Sequence, residues 1–108
     1  MGDSRKHALD EIRDERDRQI AEEGFDASHD DEHNRGELAI AASCYADAAS
    51  YPEDLRRAFH LFPYRWPWQR TWWKPKTRRE DLIRAGALIV AEIERLDREE
   101  DLKRLGRV

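Results

Sequence analysis

The residues best suited to chemistry lie between positions 66 and 79, where aromatic and cationic side chains are interleaved. Tryptophan rings stack on nucleobases, and arginine and lysine pair with phosphate groups. Arg78 and Arg79 fall in the predicted first turn of the last helix, where free backbone N–H groups favour an anion. The binding residues predicted here are Trp66, Trp68, Trp72, Trp73, Lys74, Lys76, Arg78 and Arg79. The competing interpretation is that the tryptophans only pin a proline-rich loop onto the core, with the cations solvated around it.

A second candidate is the run from His29 to His33, in which three carboxylic acids separate two histidines. Such a cluster can hold a divalent metal or accept hydrogen bonds from a ligand. Its spacing matches no specific zinc or calcium loop, and a solvated acidic turn that caps the next helix explains it equally. We place His29, Asp31 and His33 in the predicted ligand site, together with Tyr45 from the following helix, and predict no resident metal.

Carboxylates on two predicted helices form a third and weaker candidate. Acids that face each other across a helical bundle can bind magnesium for pyrophosphate cleavage, provided that they lie one turn apart and point inward. Glu37 and Asp81 are the weak candidates for such a site. No Ser/His/Asp arrangement, phosphate-cradling glycine loop or Cys/His zinc spacing is present. We therefore predict no catalytic residue and no cofactor, with magnesium entering only under this alternative.

Length and composition limit the classes of protein to consider. The 108 residues correspond to one domain, expected over 1–108 with fraying near 1–3 and 104–108. No apolar run approaches the ~18–20 residues of a membrane span, and no apolar signal core follows the N-terminus. We expect a cytoplasmic protein without a membrane partner. Cys44 is the only cysteine, so an intramolecular disulfide is impossible, and we expect it to be a small core residue.

Charge is unevenly distributed along the chain. Residues 1–50 hold 14 acidic and 6 basic side chains, whereas residues 51–108 hold 10 acidic and 14 basic ones. Within 65–84 there are seven basic residues and two acidic ones, although the whole chain has a net charge of −4. A local cationic segment in an acidic protein favours a small anion over long nucleic acid as the partner.

Helices must position these residues, because apolar positions recur at helical spacing and no strand-like alternation is present. We predict helices over about 3–23, 34–50 and 52–62, loops over 25–33 and 63–76, and a last helix that Thr77 and Glu80 begin as a capping box. An Asn34–Glu37 pair resembles a capping box for the second helix. The wide apolar face of the last helix should be the centre of the core. The predicted fold is an all-α, compact bundle of three main helices plus one short helix, with an ordered Trp/Pro-rich loop before the last helix.

Three stretches resemble a family of small proteins encoded by bacteriophages and prophages. They read ERDRQIAEEGF at 15–25, HDDEHNRGELAIAASCYA at 29–46 and WPWQRTWWKPKTRREDLIRAGALIVAEIERLDR at 66–98. The resemblance covers nearly the whole chain and brings no assigned activity with it. It implies a phage accessory protein that acts in an infected or lysogenic bacterium.

That setting implies a homo-oligomeric protein that binds a small nucleotide or cyclic nucleotide without turnover. It would thereby sequester a nucleotide signal of bacterial immunity, with the first helix as the subunit interface. One alternative resembles MazG-like enzymes, the magnesium-dependent all-helical nucleotide pyrophosphohydrolases. The chain departs from their pattern because Arg84 stands where a second inward acid would follow Glu80 or Asp81. A further alternative is an inhibitor that binds a host protein through its tryptophan segment.

Overall fold

A computed structural model describes residues 7–59 and 62–106 of the chain, apart from the side chains of residues 57–59. Its helices are α1 (Ala8–Glu23), α2 (Ala27–Asp31), α3 (Glu37–Ala49), α4 (Glu53–Phe59) and α5 (Arg78–Arg104), and a 3-10 turn spans Arg70–Trp72. No β-strand occurs in this described part, so the predicted all-α bundle of three main helices is confirmed. None of the described helices is both long and apolar enough to cross a membrane.

The core lies between α3 and α5 and is built largely from small side chains. Buried residues on the two helices are Leu38, Ala41, Ala42, Cys44, Tyr45, Ala85, Leu88 and Ala91. The side chain of Arg78 near the start of α5 donates to the carbonyl of Ala49 at the end of α3 (2.9 Å), and Arg84 reaches the Tyr45 hydroxyl (3.2 Å). The two helices are therefore antiparallel. Cys44 is buried as predicted, and burial raises the pKa of its thiol.

Helix α1 packs on a second side of α5 and runs in the same direction. Ile12 lies over Gly86, where an added Cβ would be 2.9 Å from the Ile12 Cδ1 atom. Further along both helices, the Arg16 Nε atom lies 3.3 Å from Glu94 Oε1. Glycine at position 86 therefore permits the close approach of α1.

Much of the apolar face of α5 stays exposed. Leu82, Ile89, Ile93 and Leu96 each keep between 48% and 53% of their surface accessible. The sequence predicted the core centre at the face formed by Leu82, Ile83, Gly86, Ala87, Ile89, Val90, Ile93 and Leu96. Ala87 is buried, but the prediction is wrong for the four exposed residues, and it missed Ala85, Leu88 and Ala91, which form the α5 side of the core. Periodicity reports which residues share a face, but it does not report how many neighbouring helices cover that face.

The segment after α1 differs from the predicted loop. Its five-residue helix α2 begins because the Asp26 side chain accepts a hydrogen bond from the His29 backbone N–H (2.9 Å). Helix α3 starts at Glu37 rather than near Asn34, after Gly36 in the left-handed region at φ 84°. Glu37 accepts the Arg35 backbone N–H (2.7 Å), so the proposed Asn34 cap is wrong.

The predicted start of α5 and the predicted Trp/Pro-rich loop agree with the structure more closely. Thr77 caps α5 by accepting from the Glu80 backbone N–H (3.1 Å), as the capping box predicted. The Trp/Pro-rich loop is present apart from its 3-10 turn, and α4 is shorter than the predicted 52–62 helix. Residues 60–61, the predicted start of the first helix near residue 3 and the extreme C-terminus at 107–108 lie outside the described residues.

Candidate functional site

The four tryptophans divide between the core and a pocket. Trp66 is 9% exposed, and its indole N–H donates to the Gln69 carbonyl (3.0 Å). The buried Tyr45 ring lies 5.6 Å from the Trp66 ring and 4.6 Å from the half-buried Trp73 ring, measured between centroids. These contacts fix the segment to α3. Tyr45, Trp66 and Trp73 therefore have the packing role that the competing interpretation assigned to the tryptophans.

The other two tryptophans, Trp68 and Trp72, line a pocket of about 480 Å³. The pocket lies where the end of α1, α2 and the tryptophan loop meet, and its other lining residues are Glu23, Phe25, His29, His33, Pro67 and Gln69. Its volume lies within the range of roughly 300–1,000 Å³ that is typical of small-molecule sites. Aromatic faces dominate its lining, and one carboxylate and one amide supply polar groups.

Aromatic contacts hold the pocket walls in place. Phe25 stacks on His29 with ring centroids 4.6 Å apart and an angle of 9° between the planes. Trp68 lies 5.3 Å from the His33 ring and 5.9 Å from Phe25. Trp72 remains 43% exposed beside them. A planar ligand can therefore enter against Trp72 while the deeper rings stay fixed.

Lys74 places a cation beside Trp72. Its ammonium nitrogen is 5.3 Å from the centroid of the Trp72 ring. The Lys74 backbone is held on both sides, because its N–H donates to the Tyr45 hydroxyl (3.2 Å) and its carbonyl accepts from Arg84 (2.8 Å). Lys74 contacts a wall residue of the pocket but does not itself line the pocket.

The remaining predicted cations lie elsewhere. Arg79 forms an ion pair with Glu11 on α1. The Arg78 side chain binds the end of α3, and its backbone N–H donates to the Glu53 carboxylate (3.2 Å). Glu53 therefore supplies an anion at the start of α5, where the sequence predicted an anionic ligand. Lys76 is exposed, and neither it nor Arg78 or Arg79 lines the aromatic pocket.

Two histidines of the His29–His33 run meet at the pocket wall. The His29 Nε2 and His33 Nε2 atoms are 3.3 Å apart. The Nδ1 atom of His29 lies 3.3 Å from Asp30 Oδ1, and that of His33 lies 3.4 Å from Glu37 Oε2. Burial acts to raise the pKa of Glu37, but hydrogen bonds from backbone N–H groups and from His33 outweigh it and lower that pKa. Asp31 points away and pairs with Arg98 (2.8 Å).

An arginine holds Asp81, one of the two acids that were weak candidates for a magnesium site between helices. Asp81 is 1% exposed, forms an ion pair with Arg56 and accepts the Lys76 backbone N–H (2.8 Å). Burial acts to raise the pKa of Glu15, but its hydrogen bond with Arg18 and the charges of Arg18 and Arg84 lower it. Among the described residues, no three His, Cys, Asp or Glu side chains are grouped to hold a metal ion together.

A smaller cavity of about 20 Å³ lies behind the pocket, with Gln19 and Trp68 in its lining. The Gln19 Oε1 and Trp68 Nε1 atoms are buried and have no hydrogen-bond partner within the described part of the chain. A cavity of this volume accommodates about one water molecule, which can bridge a donor and an acceptor.

Sequence reasoning missed four pocket residues, Glu23, Phe25, Pro67 and Gln69. Gly24 ends α1 in the left-handed conformation (φ 72°), which turns the chain so that Phe25 packs inward. An apolar residue directly after a helix-ending glycine was the signal that could have identified Phe25. Comparisons of the chain with protein-family models, curated proteins and solved structures found no match in any of the three.

Proposed function

We propose that the protein binds a small phosphorylated nucleotide in the aromatic pocket and does not turn it over. The observation that carries the proposal is the pocket of about 480 Å³ with Trp68 and Trp72 in its wall, together with the Lys74 ammonium over the Trp72 ring. A nucleobase stacks on an indole, a contact that contributes about 1–3 kcal/mol per base. A phosphate group pairs with the ammonium of Lys74.

Polar groups around the pocket suit the edges of a base or a ribose. The Glu23 carboxylate accepts hydrogen bonds and is held by Arg18 at 3.2 Å. Gln69 offers both a donor and an acceptor, and the imidazole rings of His29 and His33 line the same pocket. We therefore place the phosphate beside Trp72 and Lys74 and not at the start of α5, because the Glu53 carboxylate already accepts a backbone N–H there.

Binding without turnover is favoured over hydrolysis because both candidate magnesium ligands already have partners. Asp81 is bound by Arg56, and Glu37 accepts a backbone N–H in addition to its contact with His33. Arg56 neutralises the Asp81 charge that a pyrophosphohydrolase would direct at magnesium. Sequestration of a nucleotide signal in a phage-infected bacterium is the biological role that we attach to this binding, and the phage resemblance stays a prediction.

We also propose that two copies associate through the exposed face of α5. Leu82, Ile89 and Leu96 are spaced by seven residues, so a two-fold axis can place this row against itself. Both ends of α5 carry mixed charge, with Arg78, Arg79, Glu80 and Asp81 in the first turn and Glu99, Glu100, Asp101, Lys103 and Arg104 near the end, so the apolar row and not charge supports this proposal.

A thermal-shift screen of nucleoside monophosphates, triphosphates and cyclic dinucleotides, each with and without magnesium, tests the binding proposal. A ligand at about 100 times its Kd stabilises the fold by roughly 2.7 kcal/mol. We expect at least one nucleotide to stabilise the protein and to be recovered intact, by mass, after the protein is denatured. Recovery of monophosphate and pyrophosphate would instead establish hydrolysis, and no response to any nucleotide would refute the proposal.

The phosphate contact is tested by Lys74→Gln, with Lys103→Gln as the matched control. Both lysines are exposed, but Lys103 lies near the end of α5 and pairs with Glu99. We expect Lys74→Gln to weaken binding of a triphosphate and to reduce the dependence of its affinity on salt. Equal affinities for the two variants would contradict a phosphate position at Lys74.

A further inference from the structure

Carboxylates contact only one ring nitrogen, Nδ1, of each histidine in the pocket wall, His29 and His33. A carboxylate only accepts hydrogen bonds, so the Nδ1 atoms that face Asp30 and Glu37 must carry the protons. Each Nε2 atom then presents a lone pair. The two Nε2 atoms are 3.3 Å apart. Two lone pairs this close repel unless a proton or a metal ion lies between them.

The distance between the two nitrogens matches a metal ion. Zinc binds imidazole nitrogen at about 2.0–2.1 Å in tetrahedral geometry, which places two such nitrogens about 3.3–3.4 Å apart. The observed Nε2–Nε2 separation of 3.3 Å lies at this value. His29 lies in α2 and His33 lies two residues beyond its end, where the His33 backbone N–H donates to the Asp30 carbonyl (3.0 Å) and the two ring centroids are 4.6 Å apart.

The surroundings hold both rings for coordination. Asp30 is fully buried and is itself fixed by Arg16 (2.6 Å), and Glu37 is fixed by the Arg35 backbone N–H. Carboxylates that accept the Nδ1–H of metal-binding histidines orient the ring and increase its basicity. Stacking of Phe25 on His29 further restricts ring rotation. The side chains of His29 and His33 are only 30% and 19% exposed.

We infer that His29 and His33 bind one divalent transition-metal ion, with zinc as the best-fitting member of the class. The protein supplies two nitrogen ligands, and the remaining coordination positions face the aromatic pocket, which both histidines line. Water or a phosphate oxygen fills those positions. This inference goes beyond the proposed nucleotide binding, because the metal site needs no nucleotide to form.

The test uses the whole protein, freed of metal by a chelator and then dialysed against zinc chloride without nucleotide. We expect one zinc ion per chain by metal analysis. His29→Gln and His33→Gln should each abolish this binding, whereas His7→Gln, a change at the exposed residue before α1, should leave it intact. Glu37→Gln removes only the outer partner of His33 and should weaken zinc binding about 10- to 100-fold.

Cobalt supplies an independent readout of geometry. A Co²⁺ ion bound by two imidazoles in a four-coordinate site gives a visible absorption band that titrates to one equivalent and disappears when zinc is added. Absence of stoichiometric zinc in the wild-type protein overturns the inference. Equal zinc binding by the His29→Gln and His33→Gln variants overturns it as well, because the metal is then held elsewhere.

Chemical modification keeps the test valid if the histidine variants fail to fold. Diethylpyrocarbonate acylates unliganded imidazoles, and the modified positions are read by peptide mass. We expect zinc to protect His29 and His33 while His7 reacts at the same rate with and without the metal. If zinc changes the modification rate of none of His29, His33 and His7, the inference is overturned, because a proton and not a metal ion is then shared between the two Nε2 atoms. Neither measurement involves a nucleotide, so its failure leaves the binding proposal to be judged separately.

Discussion

Arginine residues form ion pairs with the buried acids Asp30 and Asp81. Asp30 pairs with Arg16 at 2.6 Å, and Asp81 pairs with Arg56. Removing one member of a buried ion pair leaves an uncompensated charge, which typically costs about 3–5 kcal/mol. At the residue scale, these acids are therefore expected to stabilise the fold rather than to serve a reaction.

Asp81→Asn tests this assignment. Asparagine preserves the shape and can still accept from the Lys76 backbone N–H, but it leaves the Arg56 guanidinium without its counter-charge. We expect the free energy of unfolding, measured in urea, to fall by about 3–5 kcal/mol. Glu80→Gln is the control, because Glu80 is exposed and adjacent. A variant with unchanged stability and a lost magnesium-dependent activity would assign Asp81 to catalysis.

At the scale of the elements, local signals predicted helices well where side chains cap them. Thr77 and Glu80 identified the start of α5 correctly, because that cap depends on residues three positions apart. Helix α2 was missed, since five residues carry too little periodicity to distinguish a helix from a loop. The predicted start of α3 near Asn34 was wrong because Gly36 adopts a left-handed conformation and the helix begins only after it, at Glu37.

The crossing of α1 and α5 at Gly86 gives a prediction about packing. Gly86→Ala should be nearly neutral, because the flexible end of Ile12 can shift and alanine raises helix propensity by up to about 1 kcal/mol. Gly86→Leu should destabilise the protein by about 1–3 kcal/mol, since the larger side chain displaces α1. Urea unfolding measures both changes.

A second substitution, at Ile12, tests whether the loss of stability in Gly86→Leu arises from contact with α1. Ile12→Ala removes the side chain that meets Gly86. In that background the penalty of Gly86→Leu should shrink, with a coupling of about 0.5–3 kcal/mol between the two positions. The same penalty in both backgrounds would mean that Ile12 and position 86 do not meet in solution.

At the scale of the whole molecule, the sequence identified the segment that carries the candidate site but not which of its residues face the pocket. Trp68, Trp72, His29 and His33 were all predicted, and the pocket brings them together. Glu23 and Phe25 come from the end of α1, and only the tertiary fold places them beside the tryptophan loop. Whether a tryptophan faces the core or a pocket depends on such long-range packing, which residue type alone does not reveal.

Self-association is a property of the exposed face of α5. We expect a dimer by light scattering at micromolar concentration, because large exposed apolar patches on soluble proteins commonly mark interfaces. Ile93→Glu places a charge in the centre of this face and should give a monomer with unchanged helical content. Leu55→Glu is the control, because Leu55 is exposed on α4. A wild-type monomer at these concentrations, or a dimer that survives Ile93→Glu, would contradict an α5 interface.

Nucleotide binding in the aromatic pocket can be tested with one pair of alanine variants. Trp72 is 43% exposed in the pocket wall, whereas Tyr64 is fully exposed in the same loop and does not line the pocket. Each aromatic residue is replaced by alanine, and calorimetric titration with the nucleotide that most stabilises the wild-type protein measures the affinity. We predict that Trp72→Ala weakens binding by about 1–3 kcal/mol, roughly 5- to 150-fold, with circular dichroism unchanged and with Tyr64→Ala equal to wild type. Wild-type affinity in Trp72→Ala, or an equal loss in both variants, would contradict the account.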